Sequence, residues 1–445
     1  MKHVEQFKTI ALFLLILLSM GLTFTIWTYT PNFEQIEPAP AVDASIGESK
    51  STEDIIKPIK AVYHFSDLVT GTVDQEQMDS LLAMMEGWEI QQINQISDET
   101  STDVMTQYMH DTNRTVIYYP GNVPFPVFNT LMNITDNSIP EATFDRVVID
   151  WEVNDNNYFN LYFINSLTGR IHQGEVIGRE MDAFQNEIVE QAFDFEPYTT
   201  NEAIGELPVY VSAEATEETS FTYLLEEITP RRFVNGLFND PANVVQSTGD
   251  LPTEEYTDDT SAIMRVENST KSISYVQPRA ETSDPGVPSE LVESTLDFIN
   301  EHGGWTDEYR YFGMNPIIQQ IEYRLVLNNK PVFSTMSSKL ELRWGADAGS
   351  EQIFRYIRPY YELETLVSTT NETFTSGTEA LELVTNLDDV DLSSVTEVLM
   401  GYELSRDEEQ PDSLMVLQPA WYYKYNGVWI RLSRDALGGE TLGLE

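Results

Sequence analysis

The sequence of residues 9–29 is Thr9-Ile-Ala-Leu-Phe-Leu-Leu-Ile-Leu-Leu-Ser-Met-Gly-Leu-Thr-Phe-Thr-Ile-Trp-Thr-Tyr29, an apolar run near the start of the chain. No charged residue lies between Lys8 and Glu34. A bilayer core about 30 Å thick needs roughly 20 apolar residues of helix, so this run predicts a transmembrane helix over 9–29. The rest of the chain is then organised around one membrane anchor.

The charges on either side of this run predict its orientation. Lys2 and Lys8 precede it, and Glu34 follows it. Because positive charge stays on the cytoplasmic side, we expect residues 1–8 in the cytoplasm and the later domains outside the cell, in a single-pass protein of the cell membrane. The alternative is a cleaved signal peptide, whose apolar core is about 7–15 residues long. The longer run here favours an uncleaved anchor.

The composition predicts packed domains with a strongly acidic surface. The chain has 445 residues, no cysteine, and 73 acidic residues against 25 basic ones, which gives a net charge of −48. Such a charge repels nucleic acid and anionic lipid headgroups. Because the acidic residues are spread through every segment, adaptation to salty or alkaline surroundings is favoured over capture of a cationic ligand.

The order of predicted elements gives an α+β fold class and a division of the chain beyond the helix. Residues 30–57 contain prolines and lack periodicity, which predicts a tether. Residues 58–246 alternate strand-like and helix-like segments, which predicts an extracytoplasmic α/β-type domain, with α+β as the alternative. The polar segment 247–260 is expected to be a linker. Residues 261–345 and 346–445 each predict a helix followed by an antiparallel meander, and so two similar, smaller α+β domains.

Three local signals support particular elements within these domains. The pair Asn426-Gly427 between two apolar runs predicts a two-residue β-hairpin. Ser376 with Glu379, and Thr72 with Gln75, have the spacing of a capping box and each predict the start of a helix.

The search for catalytic and metal-binding motifs is negative. No two histidines are three or four residues apart, and the chain has no Ser-x-x-Lys, Gly-x-Ser-x-Gly or phosphate-binding glycine motif. We therefore predict no catalytic, cofactor-binding or metal-binding residues and no enzyme activity. Asp150 and Glu152 would be the first candidates for the carboxylate pair of a wall-glycan hydrolase. A solvated strand end is the favoured interpretation of both.

Small and hydroxyl-bearing residues within the apolar run are candidates for contacts between membrane helices. Ser19 and Thr23 are four residues apart, and so are Gly21 and Thr25. Small residues at this spacing allow close approach of two helices in lipid, and hydroxyl groups can bond across the contact. The candidate helix-contact residues are Ser19, Gly21 and Thr23.

Two segments of the sequence resemble the YycH family of Gram-positive bacteria. The first is the anchor from Phe7-Lys-Thr-Ile-Ala to Ile26-Trp-Thr-Tyr-Thr-Pro31. The second is the closing hairpin, Met400-Gly-Tyr-Glu-Leu404 with Leu414-Met-Val-Leu-Gln-Pro-Ala-Trp-Tyr-Tyr-Lys-Tyr-Asn-Gly-Val-Trp429. The predicted order of anchor, α/β-type domain and two α+β domains is also similar, so the resemblance covers essentially the whole chain.

The resemblance implies a membrane-anchored, non-catalytic regulator that needs no cofactor. Proteins of this family modulate a sensor histidine kinase of the WalK/YycG type, which controls cell-wall homeostasis, together with a sister protein of the YycI type. One alternative is an extracytoplasmic ligand sensor with its pocket between the two similar domains, lined by Trp421, Tyr422 and Trp429. A carboxylate-dependent wall hydrolase is a further alternative.

Overall fold

The computed structural model describes residues 18–20, 47–135, 138–248, 253–347, 349–388, 390–406 and 413–432. The chain divides into two compact units, Met1–Asp43 and Ala44–Glu445. In the first unit residues 18–20 are helical and exposed, and the rest of the predicted helix 9–29 lies outside the described residues. No helix in the described ranges is both long enough and apolar enough to cross a membrane.

The second unit contains two large sheets. Within the described residues the first sheet has ten strands, in the spatial order β10-β9-β2-β1-β4-β6-β7-β8-β3-β5. In chain order these strands are β1 (Lys60–His64), β2 (Val69–Thr72), β3 (Glu89–Ser97), β4 (Arg114–Pro124), β5 (Asn133–Ile134), β6 (Thr143–Asp150), β7 (Tyr158–Asn165), β8 (Arg170–Ile177), β9 (Glu196–Thr199) and β10 (Val211–Ser212).

The second sheet has fourteen strands among the described residues. They are β11 (Glu217–Glu227), β12 (Val245–Thr248), β13 (Thr253–Thr257), β14 (Ile263–Glu267), β15 (Ser272–Val276), β16 (Tyr309–Asn315), β17 (Gln320–Leu327), β18 (Lys330–Ser334), β19 (Lys339–Asp347), β20 (Ser350–Pro359), β21 (Tyr361–Thr373), β22 (Val395–Arg406), β23 (Leu414–Tyr425) and β24 (Val428–Arg431). The main path runs β12-β13-β14-β15-β20-β19-β17-β18-β22-β23-β11-β21, with β16 beside β17 and β24 beside β23.

Short helices cover these sheets. They are α1 (Thr52–Ile55), α2 (Gln75–Glu86), α3 (Thr102–His110), α4 (Phe125–Leu131), α5 (Arg179–Phe184), α6 (Glu190–Ala192), α7 (Pro230–Leu237), α8 (Pro288–Glu301) and α9 (Gly377–Thr385). A π-helical turn at Gln185–Val189 joins α5 to α6. In α8 the buried side chains include Val292, Leu296 and Ile299, which recur at helical spacing and face the core.

Strand directions confirm the α+β class and correct the α/β expectation for the first domain. In the first sheet β3 and β5 pair in parallel, and the other described pairs are antiparallel. An α/β fold needs parallel strands joined by helical crossovers. Here β6, β7 and β8 follow one another as hairpins, so α/β was wrong for this part of the chain.

The local signals had mixed outcomes. Asn426 and Gly427 form the predicted hairpin between β23 and β24, both with positive φ. Ser376 caps α9 through the predicted capping box. The prediction of a helix starting at Thr72 was wrong, because Thr72 ends β2 and Asp74 caps α2 by accepting the Gln77 amide hydrogen.

Three segments differ in structure from the roles that the sequence suggested. At the end of the predicted tether 30–57, Ile55 and Ile56 are buried in the core. Strand β11 falls within the predicted domain 58–246, yet it pairs with β21 and β23 of the second sheet. Within the predicted linker 247–260, β13 pairs with β12 and β14 at the edge of that sheet. The domain boundaries themselves stay predictions.

The two sheets share a hydrophobic core. One cluster of buried side chains includes Val123 and Phe144 of the first sheet and Tyr311 and Tyr323 of the second. Strand β4 also meets β16 at close range, with Gly121 directly against Gly313. The two sheets are therefore joined by a packed interface.

Candidate functional site

Two clefts lie between residues of the two sheets, and both are lined by Ile59 and Lys60. The first, the Lys330 cleft, has a volume of about 810 Å³. The second, the Lys424 cleft, has a volume of about 620 Å³. Both volumes fall in the range of roughly 300–1,000 Å³ that is typical of small-molecule pockets. These clefts are the candidate functional site of the described residues.

Acidic side chains dominate the Lys330 cleft. Lys330 Nζ lies 2.5 Å from Glu218 Oε2 in an ion pair within this cleft, and Asn329 beside it donates a hydrogen bond to the Val73 carbonyl at 2.7 Å. The cleft thus joins the β17–β18 turn to the first sheet. The charged residues of its wall are Lys60, Asp74, Asp194, Glu196, Glu217, Glu218 and Lys330.

The Lys424 cleft has balanced charge and a large apolar wall. Its basic residues come from β1, β6 and β23, and its acidic residues from β6, β22 and the segment before β10. The charged residues are Lys60, Asp145, Arg146, Glu206, Glu397 and Lys424, and the apolar and aromatic ones include Ile59, Met109, Tyr118, Tyr119, Leu207, Val209 and Trp429.

A buried ion pair at the base of the clefts joins the two sheets. Lys60 Nζ lies 2.6 Å from Glu397 Oε1, and the two side chains are only 5% and 9% exposed. The Lys60 ammonium also donates to the Tyr210 carbonyl at 2.8 Å. Burial lowers the pKa of Lys60, and the Glu397 carboxylate opposes that shift. A buried charge of this kind is tolerated because its partner and its hydrogen bonds are in place.

Arg146 extends this ion pair into a network. Its Nη1 lies 2.9 Å from Asp145 Oδ2, and its Nη2 lies 3.8 Å from Glu397 Oε2. Both cations contact the Tyr118 ring, whose centroid lies 4.8 Å from Lys60 Nζ and 4.5 Å from Arg146 Cζ. Both contacts are within the distance at which a cation is attracted to an aromatic face.

Lys424 differs from the other cations of the cleft. Its ammonium makes no hydrogen bond and no ion pair with any residue that the structure describes, and its nearest aromatic contact is the Trp429 ring centroid at 5.6 Å. Burial lowers the pKa of Lys424, and the carboxylates of Glu397, Asp145 and Glu322 oppose that shift. Lys424 is only partly buried and lines the cleft, so its ammonium can donate hydrogen bonds to a molecule bound there.

A pair of histidines packs beside the network. His110 Nδ1 lies 3.0 Å from His64 Nε2, and the Tyr210 ring contacts both imidazoles. Burial lowers the pKa of His64 to about 4, and burial together with nearby positive charge lowers that of His110 well below its usual value. Two neutral rings can share one proton between these nitrogens, so the pair is a structural contact near neutral pH.

The structure describes one of the three helix-contact candidates predicted from the sequence. Ser19 is helical and exposed. Gly21 and Thr23 lie outside the described residues. The proposed contact face of the membrane helix therefore stays a prediction.

The carboxylates proposed for a hydrolase do not line either cleft. Asp150 is buried and forms an ion pair with Arg114, and its Oδ1 accepts a hydrogen bond from the Glu152 amide at 3.0 Å. Burial raises the pKa of Asp150, whereas the Glu152 side chain is exposed. In the ranges that the structure describes, no group of three His, Asp or Glu side chains is placed to hold a metal ion.

The three aromatic residues predicted to line a ligand pocket have different positions. Trp421 lines the Lys330 cleft and Trp429 lines the Lys424 cleft. Tyr422 is fully buried and stacks on Phe333 with ring centroids 4.0 Å apart. Both clefts include first-sheet residues, so neither is formed by the two predicted α+β domains alone.

Sequence reasoning missed the buried network. A charged residue inside an apolar strand was the available signal: Lys60 begins the strand Lys-Ala-Val-Tyr-His, and Glu397 interrupts Val-Thr-Glu-Val-Leu. Lysine and glutamate are almost never fully buried without a partner, so each such position predicts one. Which partner it has depends on the pairing of the two sheets.

Comparison with known proteins gives a consistent result over the whole chain. Residues 5–193 match the family model of the YycH protein N-terminal domain, and residues 206–436 match that of the YycH protein C-terminal domain. The two-component system WalR/WalK regulatory protein YycH of Bacillus subtilis (strain 168) is 21% identical over 452 residues, which cover 98% of each chain.

The fold is also similar to a solved structure. The crystal structure of YycH from Bacillus subtilis superposes with a TM-score of 0.71 and 18% sequence identity, covering 88% of this chain and 100% of that one. At this identity the likeness shows a shared fold. Since the two family models together match most of the sequence, the chain belongs to the YycH family.

Proposed function

We propose that this chain is a membrane-anchored, non-catalytic regulator of a WalK/YycG-type sensor histidine kinase and acts together with a YycI-type protein. The observation that carries the proposal is the similarity to a WalR/WalK regulatory protein over 98% of both chains. A match of that extent includes the apolar run as well as both sheets. The regulatory role is thus proposed for the whole chain rather than for one domain.

The proposed location follows from the same run. We place residues 1–8 in the cytoplasm, residues 9–29 in the membrane and both sheets outside the cell. The support is the length of the uncharged segment and the positive charge before it. A regulator anchored in this way has two surfaces for a kinase: its membrane helix, and the exterior unit.

Regulation requires that the chain bind one signalling state of the kinase more tightly than the other. A partner with equal affinity for both states shifts no equilibrium, however tightly it binds. We propose that the membrane helix supplies part of this differential contact. Ser19, Gly21 and Thr23 are its candidate residues, because small side chains allow close helix approach.

The candidate residues form two sets that can be tested separately. At 3.6 residues per turn, Ser19 and Thr23 share one face of a helix, whereas Gly21 and Thr25 share another. We propose the variants Ser19→Leu/Thr23→Leu and Gly21→Leu/Thr25→Leu. The matched control is Ala11→Leu, which also enlarges a small residue of the run but lies outside both sets.

The measurement is co-purification of the kinase with the full-length chain from membranes. We expect at least one double variant to lose kinase while it remains in the membrane fraction, and Ala11→Leu to retain it. The helix-contact proposal is wrong if both double variants retain the kinase at the parent level.

A further inference from the structure

The Lys424 cleft departs from the charge of the rest of the chain. The sequence has 25 basic and 73 acidic residues, whereas three basic and three acidic side chains line this cleft. Four of those six are engaged with one another, as Lys60 with Glu397 and Arg146 with Asp145. An anionic ligand would therefore meet less repulsion here than over most of the protein surface.

Lys424 is the third basic residue of the cleft and takes part in neither of these ion pairs. It lies in β23, and its backbone pairs with Glu397 on one side and Trp429 on the other. Its ammonium has no hydrogen-bond or ion-pair partner among the described residues. A ligand carboxylate at this position would accept the ammonium hydrogens in a charge-assisted hydrogen bond, which is stronger than a neutral one.

The wall of the cleft carries further polar atoms without a partner. Tyr118 is 3% exposed, and no described residue bonds to its hydroxyl group. The Nε2 atom of His110 is likewise buried and without a partner. Native structures pair most buried polar atoms with protein, water or ligand. These atoms are therefore further points where a bound molecule or its water can be held.

The apolar wall of the cleft indicates that the rest of a bound molecule is apolar. Aliphatic side chains and the rings of Tyr119 and Trp429 line the cleft beside Lys424. Apolar walls with a few placed polar groups are typical of sites that bind small organic molecules. The volume of about 620 Å³ accommodates a molecule of that size.

We propose that the Lys424 cleft binds a small organic monocarboxylate with an apolar or aromatic body. The carboxylate pairs with Lys424, and the body lies against Trp429 and its neighbours. A single unpaired ammonium in a cleft of balanced charge matches one negative charge, and a doubly charged phosphate would be repelled more strongly by a chain of net charge −48. This site goes beyond the regulatory role and does not depend on the kinase partnership.

The test uses full-length protein in a detergent with a neutral headgroup, titrated by calorimetry. The probe is benzoate, with benzamide as its neutral isostere and phenyl phosphate as a doubly charged analogue. The variants are Lys424→Met and Lys424→Arg. The control is Lys57→Met, which removes the same charge from a lysine paired with Asp79 outside the cleft.

We expect saturable binding of benzoate, with benzamide and phenyl phosphate each weaker. Lys424→Met should weaken benzoate binding by about tenfold or more, the usual effect of losing a charge-assisted hydrogen bond. Lys424→Arg and Lys57→Met should retain it. Because Lys424 has no described partner to lose, the melting temperature of Lys424→Met should stay at or above that of the parent.

Three results would overturn the proposal. One is benzoate binding no tighter than benzamide. The second is Lys424→Met binding benzoate like the parent. The third is an equal loss of binding in Lys57→Met, which would show a general effect of net charge rather than a site.

Discussion

Lys60 of β1 and Glu397 of β22 form a buried ion pair across the two sheets, with Nζ and Oε1 2.6 Å apart. The two residues are separated by 337 positions in the sequence. Arg146 lies near the same carboxylate and adds a second positive charge. Substitutions in this pair therefore test how much the contact between the sheets contributes to the stability of the fold.

Breaking this ion pair should destabilise the fold strongly. Glu397→Met should lower the free energy of unfolding by about 3–5 kcal/mol, because it leaves the Lys60 ammonium buried without its carboxylate. Lys60→Met should lower it by less, because Arg146 Nη2 still lies 3.8 Å from Glu397 Oε2. The double variant should lose less free energy of unfolding than the two single variants lose in sum. Denaturant unfolding measures all three, with Arg265→Gln as the control on an exposed pair, where we expect less than about 1 kcal/mol. A loss in Glu397→Met as small as that control would contradict the account.

The contact of Gly121 with Gly313 should tolerate a methyl group on one side only. A Cβ added to Gly121 would lie 2.5 Å from the Cα of Gly313, whereas one added to Gly313 meets no atom within 4 Å. Gly121→Ala should therefore cost about 1–3 kcal/mol by overpacking, and Gly313→Ala should be neutral or slightly stabilising. Melting temperatures of the two variants test this, and equal effects would refute the close approach of β4 to β16.

The histidine pair should make the fold less stable as the pH falls. An unfolded histidine takes up a proton near pH 6.5, whereas His64 in the folded chain does so at about 4. Between these values the unfolded state binds more protons, so acidification favours unfolding, by up to about 3 kcal/mol. Replacing His64 and His110 by phenylalanine should remove this part of the pH dependence.

The measurement for the histidines is denaturant unfolding of parent and variant at intervals from pH 7 to pH 4. Taking the difference between the two proteins at each pH removes the contributions of other groups. A difference that is flat with pH would contradict burial of neutral histidines.

Asp307 should have the opposite effect to the histidines and make the fold less stable as the pH rises. Burial raises its pKa to about 6, and its Oδ2 has no partner among the described residues. Above that pH the buried carboxylate is ionised in the folded state, which lowers the stability of the fold. Asp307→Asn should therefore stabilise the fold at pH 8 by about 1–3 kcal/mol. The gain should shrink at pH 5, where the parent carboxyl is largely protonated.

Unfolding of Asp307→Asn at both pH values checks this prediction. Its control is Asp307→Ala, which also removes the acceptor for the Leu363 amide at 3.2 Å. Destabilisation by the asparagine variant at pH 8 would contradict it.

Short-range rules located several elements correctly because they depend on neighbouring residues alone. Asn426-Gly427 forms a hairpin because both residues can adopt positive φ. The Ser376 cap depends on a side chain three residues away. The signal at Thr72 failed because the same residue types also end strands, and the spacing does not distinguish the two cases.

Sheet assembly and the clefts depend on contacts that are distant in sequence. Strand β18 pairs in parallel with β22, so that Val332 lies beside Tyr402. Hydrophobic periodicity gives each strand its buried face but does not choose its partner. The pairing of Lys60 with Glu397 has the same origin, which is why the sequence indicated buried charges without joining them.

The central claim is that this chain regulates a WalK/YycG-type kinase from the membrane. Cross-linking of the full-length protein in its native membrane, followed by identification of the captured proteins, tests it most directly. The account predicts capture of the sensor kinase and of a YycI-type protein. Efficient cross-linking that captures neither protein would contradict it.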